Sequence, residues 1–277
     1  MEDLVVLWAV YALAGLGFAL GSASVGHLCF VPAASFAITP LVFDAVGRPL
    51  AGGVLAATTA ALTLEAYRAL SSRFASQGLA PERRMMASLA LLLAAEALYV
   101  VVTGGQPIYL GPPGGSSQLK VACFVLLCTL LVTPSSARWV VFMRASERSP
   151  RRCLVHGMPR RYLHRALSLV AGAVSGAGAL VLGWESRVTA AVGLQMALVG
   201  FGVFVAARVS RYGLTPRLTL AASGVMATSF QVGGRLTEHD WSSAGLLLSI
   251  PVWLSIVGTA RHLRGRIALQ RKEVAGT

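Results

Sequence analysis

Charge is scarce in this chain. Charged residues make up 13% of the 277 positions, against about 25% in a soluble domain. Acidic residues number only 11, and of the 24 basic residues just two, Lys120 and Lys272, are lysine. A chain so poor in charge, and 55% hydrophobic, cannot clothe a soluble domain of its length. Cysteine is scarce as well. Of the four, Cys29, Cys123 and Cys128 lie in apolar runs and Cys153 lies in a basic stretch. None has metal-ligand spacing and none falls between spans on the arginine-poor side, so no disulfide framework is expected. Buried cysteines of this kind serve as small hydrophobes.

Catalytic signatures are missing too. The chain has no GxSxG, no P-loop and no HExxH. The five histidines, His27, His156, His164, His239 and His262, are scattered over span ends, loops and tail. They give no facing pair for a metal or haem, and no cofactor is expected. Ser175, in Val174-Ser175-Gly176-Ala177-Gly178, resembles the serine segment of rhomboid proteases. No histidine in another span could act as its base, which excludes that chemistry. Residues 43–53 are similar to the loop after the aspartate motif of membrane prenyltransferases, but Asp44 stands alone where clustered aspartates must hold magnesium. The net charge of +13 would raise nucleic acid as a partner. Here the charge is dealt out between apolar runs, with no single stripe and no interleaved aromatics, so no nucleic acid is expected.

What the chain does have is long apolar runs, and arginine between them. Twenty of the 24 basic residues fall into four stretches. The first holds Arg68, Arg73, Arg83 and Arg84. The second runs from Arg138 to Arg165. The third is Arg208, Arg211 and Arg217, and the last runs from Arg261 to Lys272. A helix needs about 20 mostly apolar residues to cross a bilayer. Candidate spans are 4–23, 26–46, 51–70, 85–103, 119–140, 166–184, 188–207, 214–233 and 243–260. Cytoplasmic loops are enriched in Lys and Arg. Alternation puts 71–84, 141–165, 208–213 and the tail 261–277 on the cytoplasmic side. The arginine-poor segments 104–118, 185–187 and 234–242 then face outward.

The expected fold is therefore all-α, a single polytopic transmembrane helix bundle of about nine spans, with the N-terminus outside and the C-terminus cytoplasmic. An eight-span alternative makes 26–46 a re-entrant segment broken at Pro32 and Pro40. A cleaved signal peptide ending at Ala23 is disfavoured, because the first residues are acidic and every later loop would invert. Pro32, Pro40 and Pro251 are expected to bend their spans. Small residues let membrane helices approach closely. Gly17 with Gly21, and Gly172 with Gly176, mark such faces. They suit a packed monomer or, at Gly172 and Gly176, a homo-oligomeric or membrane-protein contact.

Ionisable residues inside spans are costly and are functional candidates. Glu96 sits about seven residues from the outer end of its span, roughly 10 Å deep. A carboxylate at that depth needs a proton or a partner, and Lys120 is the nearest candidate. Glu96 is read either as a coupling carboxylate of a small-solute or ion transporter, or as a paired structural acid. Glu65 precedes Arg68 by three residues and should pair with it. Gln195 and Gln231 are expected to bond between helices, or to line a polar path with Ser223, Thr228 and Ser229. The loop 141–165, with Arg151, Arg152, Arg160 and Arg161, would attract anionic lipid headgroups. Palmitoylation of Cys153 is a further expectation. The function expected is that of a multi-pass protein acting through lipid or protein contacts. A transporter using Glu96 and a membrane-embedded enzyme are the alternatives.

Overall fold

The computed structural model of the protein describes residues 4–47, 49–111, 116–132, 160–208 and 216–236. Among these residues there are eight helices and no strand. They are α1 (Leu4–Val25), α2 (Val31–Val46), α3 (Pro49–Ser76), α4 (Pro81–Thr103), α5 (Ser116–Val132), α6 (Arg160–Glu185), α7 (Val192–Arg208) and α8 (Pro216–Leu236). Each of the first eight apolar segments read from the sequence overlaps one of them. The ninth, 243–260, and the tail lie outside the described residues, as does most of the loop 141–165.

Proline and glycine punctuate the chain. α3, α4 and α8 begin on Pro49, Pro81 and Pro216, and α2 carries Pro32 in its first turn. Proline suits that place because its missing N–H has no intrahelical acceptor there. Pro32 therefore opens α2 rather than bending it, while Pro40 lies inside the helix. α2 and α4 end on Gly47 (φ 65°) and Gly104 (φ 63°). That left-handed conformation is one that glycine adopts without a Cβ penalty. α2 starts at Val31, five residues later than the sequence suggested. Residues 26–30 form a connection instead, turned at Gly26.

α1 is the hub. α6, α7, α8 and α5 pack around it. Its middle is buried on every side, with Val10, Tyr11, Ala12, Leu13 and Ala14 all covered. Close approach depends on small residues. A Cβ on Gly15 would fall 2.3 Å from Val203 Cγ1, and one on Gly224 would fall 2.9 Å from the Trp8 ring. Trp8 Nε1 also donates to the Leu220 carbonyl at 2.9 Å, joining α1 to α8. The face marked by Gly172 and Gly176 is used within this chain. A Cβ on Gly172 would meet Ala61 Cα at 2.5 Å and the Ala60 carbonyl oxygen at 2.6 Å, so α6 lies directly on α3.

Aromatic packing fills the space between helices. Phe18 stands edge-on to Phe30 (centroids 5.6 Å, 73°) and Phe201 (6.1 Å, 71°), with Phe204 tilted at 5.6 Å. The outer surfaces of α3, α4 and α5 are different. Val54, Leu62, Leu93, Leu98, Val101, Val121, Phe124 and Val132 are all exposed there. Among the described residues three helices are long and apolar enough to cross a membrane: Leu4–Val25, Pro81–Thr103 and Tyr162–Glu185.

Candidate functional site

The residue that sequence singled out, Glu96, projects from α4 to the start of α7. Its Oε1 accepts from the Leu194 backbone N–H at 2.6 Å. The first N–H groups of any helix lack intrahelical acceptors, and a carboxylate there also meets the positive end of the helix dipole. Glu96 thus caps α7 from a neighbouring helix. Gly193 allows it, since a Cβ there would lie 3.1 Å from Glu96 Oε1 and 2.9 Å from Leu92 Cδ1. The other residue named with it, Lys120, is exposed near the start of α5.

α7 begins at Val192, later than the expected 188, because Val188 is spent elsewhere. Val188 and Ile108 exchange two backbone hydrogen bonds, of 2.8 and 3.0 Å, as an isolated antiparallel bridge. The Leu110 N–H donates to the Gly183 carbonyl at 3.0 Å. Below this bridge the buried Tyr99 hydroxyl donates to the Val188 carbonyl at 2.6 Å and accepts from the Ile108 N–H at 3.1 Å. One phenol of α4 thus fastens the connection after α4 to the connection after α6. Sequence reasoning missed it, because a tyrosine near a span end reads as an interfacial residue.

The opposite end of α4 lies roughly 22 Å away, taking fifteen residues at 1.5 Å each. Here the expected Glu65–Arg68 pair is present and bidentate. Arg68 Nε donates to Glu65 Oε2 at 2.7 Å and Arg68 Nη2 to Oε1 at 2.6 Å. Two contacts from α6 were not foreseen. The Ser168 hydroxyl donates to Glu65, and Arg165 Nε lies 3.6 Å from Oε1. The carboxylate therefore ties α3 to α6. The Tyr67 hydroxyl donates to the Arg84 carbonyl at 2.5 Å, and His27 Nε2 lies 3.1 Å from it. His164 Nδ1 bonds the Ser24 carbonyl at 2.7 Å. In the connection between α1 and α2, burial holds the His27 imidazole below its ordinary value, and the Arg84 charge adds to this.

The remaining candidates are dispersed. Gln195 is exposed rather than set between helices. Ser223 and Thr228 spend their hydroxyls on the Leu220 and Gly224 carbonyls of their own helix. Arg160 and Arg161 lie in the first turn of α6, while Arg151, Arg152 and Cys153 fall outside the described residues. Among the described residues no three His, Cys, Asp or Glu side chains gather where they could hold a metal. Cys29 and Cys123 are buried among apolar side chains. Comparison with protein families, with curated proteins and with solved structures found no match.

Proposed function

We propose that this chain is a multi-pass integral membrane protein that acts through contacts with lipid and other proteins. In this reading it spans the bilayer nine times, with the N-terminus outside and the arginine-rich connections on the cytoplasmic side. The observation that carries it is the apolar outer surface of α3, α4 and α5. Leu93, Leu98 and Val101 stand exposed on α4, and Val121 and Phe124 stand exposed on α5. Water would penalise that surface, whereas hydrocarbon is indifferent to it.

The distribution of charge supports the same reading. Arg68, Arg84 and Arg165 come from two separate basic stretches, and they meet at one end of the bundle. Arg217, from a third stretch, donates from Nε to the Leu131 carbonyl at 2.9 Å. The end bearing the Tyr99 bridge is built from connections with few basic residues. Glu96 has its own place in this account: its oxygen holds the start of a helix, which is work for a structural acid.

Two measurements test the proposal. Single cysteines would replace Ser116 and Ser149 in a cysteine-free chain. A membrane-impermeant maleimide should reach them from opposite faces, and labelling of both from the same face sinks the topology. Glu96→Gln in liposomes should leave proton and cation flux at the level of empty vesicles, as in the unaltered protein. Flux that depends on Glu96 would replace this reading with transport.

A further inference from the structure

A cavity of about 270 Å³ opens at the basic end of the bundle, between the ends of α1, α3, α4 and α6. Its polar lining is Ser24, Arg68, Ser71, Ser72, Arg84 and His164, and among the described residues no carboxylate lines it. Exposed Ser72 and Ala75 mark the mouth. Most of the polar groups have work to do. Ser24 and Ser72 donate to the Gly21 and Ala69 carbonyls, and Arg68 grips Glu65 with two of its nitrogens. The buried Nε of Arg84 has no hydrogen-bond partner, and the hydroxyl of Ser71, 2% exposed, has the Tyr67 hydroxyl of its own helix beside it.

A buried donor left without a partner costs about 1–3 kcal/mol, so Arg84 Nε beside a cavity points to something that fills it. The character of the lining says what. It offers guanidinium, hydroxyl and imidazole groups, which donate hydrogen bonds, and the carboxylate that Arg68 holds, Glu65, is neutralised by it. Helix dipoles do not decide the matter. α4 and α6 bring their positive ends, while α1 and α3 bring negative ones. The guanidinium of Arg84 therefore sets the sign. A planar fork of N–H donors with a hydroxyl beside it matches the oxygens of a phosphate.

We propose that this cavity binds a phosphate-bearing anion, either the headgroup phosphate of an anionic lipid or a free phosphate compound. The inference rests on the membrane reading above and names a ligand class for it. Arg84 supplies the charge, the Ser71 hydroxyl donates from the buried wall, and the ring of His164, held at Nδ1 by Ser24, borders the site. The open mouth beside Ser72 and Ala75 admits the ligand at the level where lipid headgroups would lie.

The test uses the full chain purified in a neutral detergent. Thermal unfolding is followed during titration with dihexanoyl phosphatidic acid, with inorganic phosphate and with dihexanoyl phosphatidylcholine. A ligand that binds only the folded state raises the unfolding midpoint in a saturable way. Phosphatidic acid should do so, with phosphatidylcholine weaker by at least tenfold. If inorganic phosphate stabilises equally, the natural ligand is a free phosphate; if it does not, the ligand is a lipid headgroup. Either result supports the site. Arg84→Gln should weaken the apparent affinity at least tenfold, and Ser71→Val, which keeps the volume, severalfold. Arg73→Gln, at an exposed arginine of α3 outside the cavity lining, should bind as the unaltered chain does. The proposal is overturned by absence of saturable stabilisation from either anion. It is equally overturned if Arg73→Gln loses as much as Arg84→Gln, since the effect would then be general surface charge. Unfolding of Ser71→Val without ligand verifies its fold, should Arg84→Gln not fold. Maleimide labelling in membranes is read without any ligand, so failure of the topology and failure of the site remain separate outcomes.

Discussion

α1 and α4 are nearly matched in length and in hydropathy, yet they occupy opposite environments. Of the apolar stretch of α1, 83% is buried inside the protein; for α4 the figure is 22%. Hydropathy alone does not separate a central helix from a peripheral one. The difference lies in small residues. Between Ala9 and Ala23, α1 carries Gly15, Gly17 and Gly21 together with several alanines, and neighbours close in at each glycine. A Cβ on Gly17 would lie 2.0 Å from Ser175 Oγ, and one on Gly21 would lie 2.6 Å from Pro32 Cγ. α4 has no glycine between Pro81 and Thr103. Its leucines and valines keep neighbours off, and it buries only Ser88, Leu92, Ala95 and Tyr99 along one edge. In a bilayer, where no hydrophobic force gathers helices, close packing of small residues decides which helix becomes the hub.

That contrast can be broken at several points. The largest effect is expected from Phe18→Ala, which removes the ring that meets three others. It should cost about 3–5 kcal/mol, read as the unfolding free energy in detergent. Leu98→Ala, on the exposed side of α4, should stay within about 0.5 kcal/mol. Equal costs would mean that α4 is as covered as α1.

Leu93→Arg comes next. Leu93 is 50% exposed near the middle of α4. If that face meets hydrocarbon, a central arginine should impair insertion by about 2.5–3.5 kcal/mol, measured by glycosylation mapping of inserted segments. Free insertion would show that water reaches the face.

Gly172→Ala sharpens the comparison at the α3–α6 contact. The added methyl meets backbone atoms, which cannot turn aside, and overpacking of this kind costs about 1–3 kcal/mol. Gly53→Ala provides the opposite sign. Its Cβ would meet only Leu180 Cδ1 at 3.8 Å, and the helix should gain about 0.5–1 kcal/mol.

The smallest effect is that of His27→Gln. Burial and Arg84 keep the folded imidazole below its ordinary value, so the unfolded chain takes up a proton first as pH falls. The contribution is present in full above the unfolded value of about 6.5 and erodes as pH drops toward the folded one. Between pH 7.5 and 5.5 the unaltered protein should therefore lose stability relative to His27→Gln. A constant difference across that window would remove His27 from the pH response.

Much of this architecture can be read along the chain. Apolar runs locate the described helices, and prolines and glycines mark their ends, because each acts through its own backbone. Boundaries slipped where tertiary contacts compete. Val188 left α7 for a bridge with Ile108, and residues 26–30 left α2 for a connection that places His27 beside Tyr67. The sites divide in the same way. Glu65 and Arg68 are three residues apart, and their pairing is local. Glu96 and Leu194 are 98 residues apart, and the partner is a backbone N–H, which any residue but proline carries. The cavity takes three polar residues from α3 and one each from α1, α4 and α6, and each taken alone looks like an ordinary span end.

The central position of α1 has a consequence for biosynthesis. It leaves the ribosome before α6, α7 and α8, which cover most of it and begin at Arg160 or later. At about 5–20 residues per second this helix waits on the order of 10–40 seconds for its companions. In the proposed membrane setting its glycine-notched sides have only acyl chains or an insertion chaperone to rest against until they arrive, and assembly must close around a helix already in place.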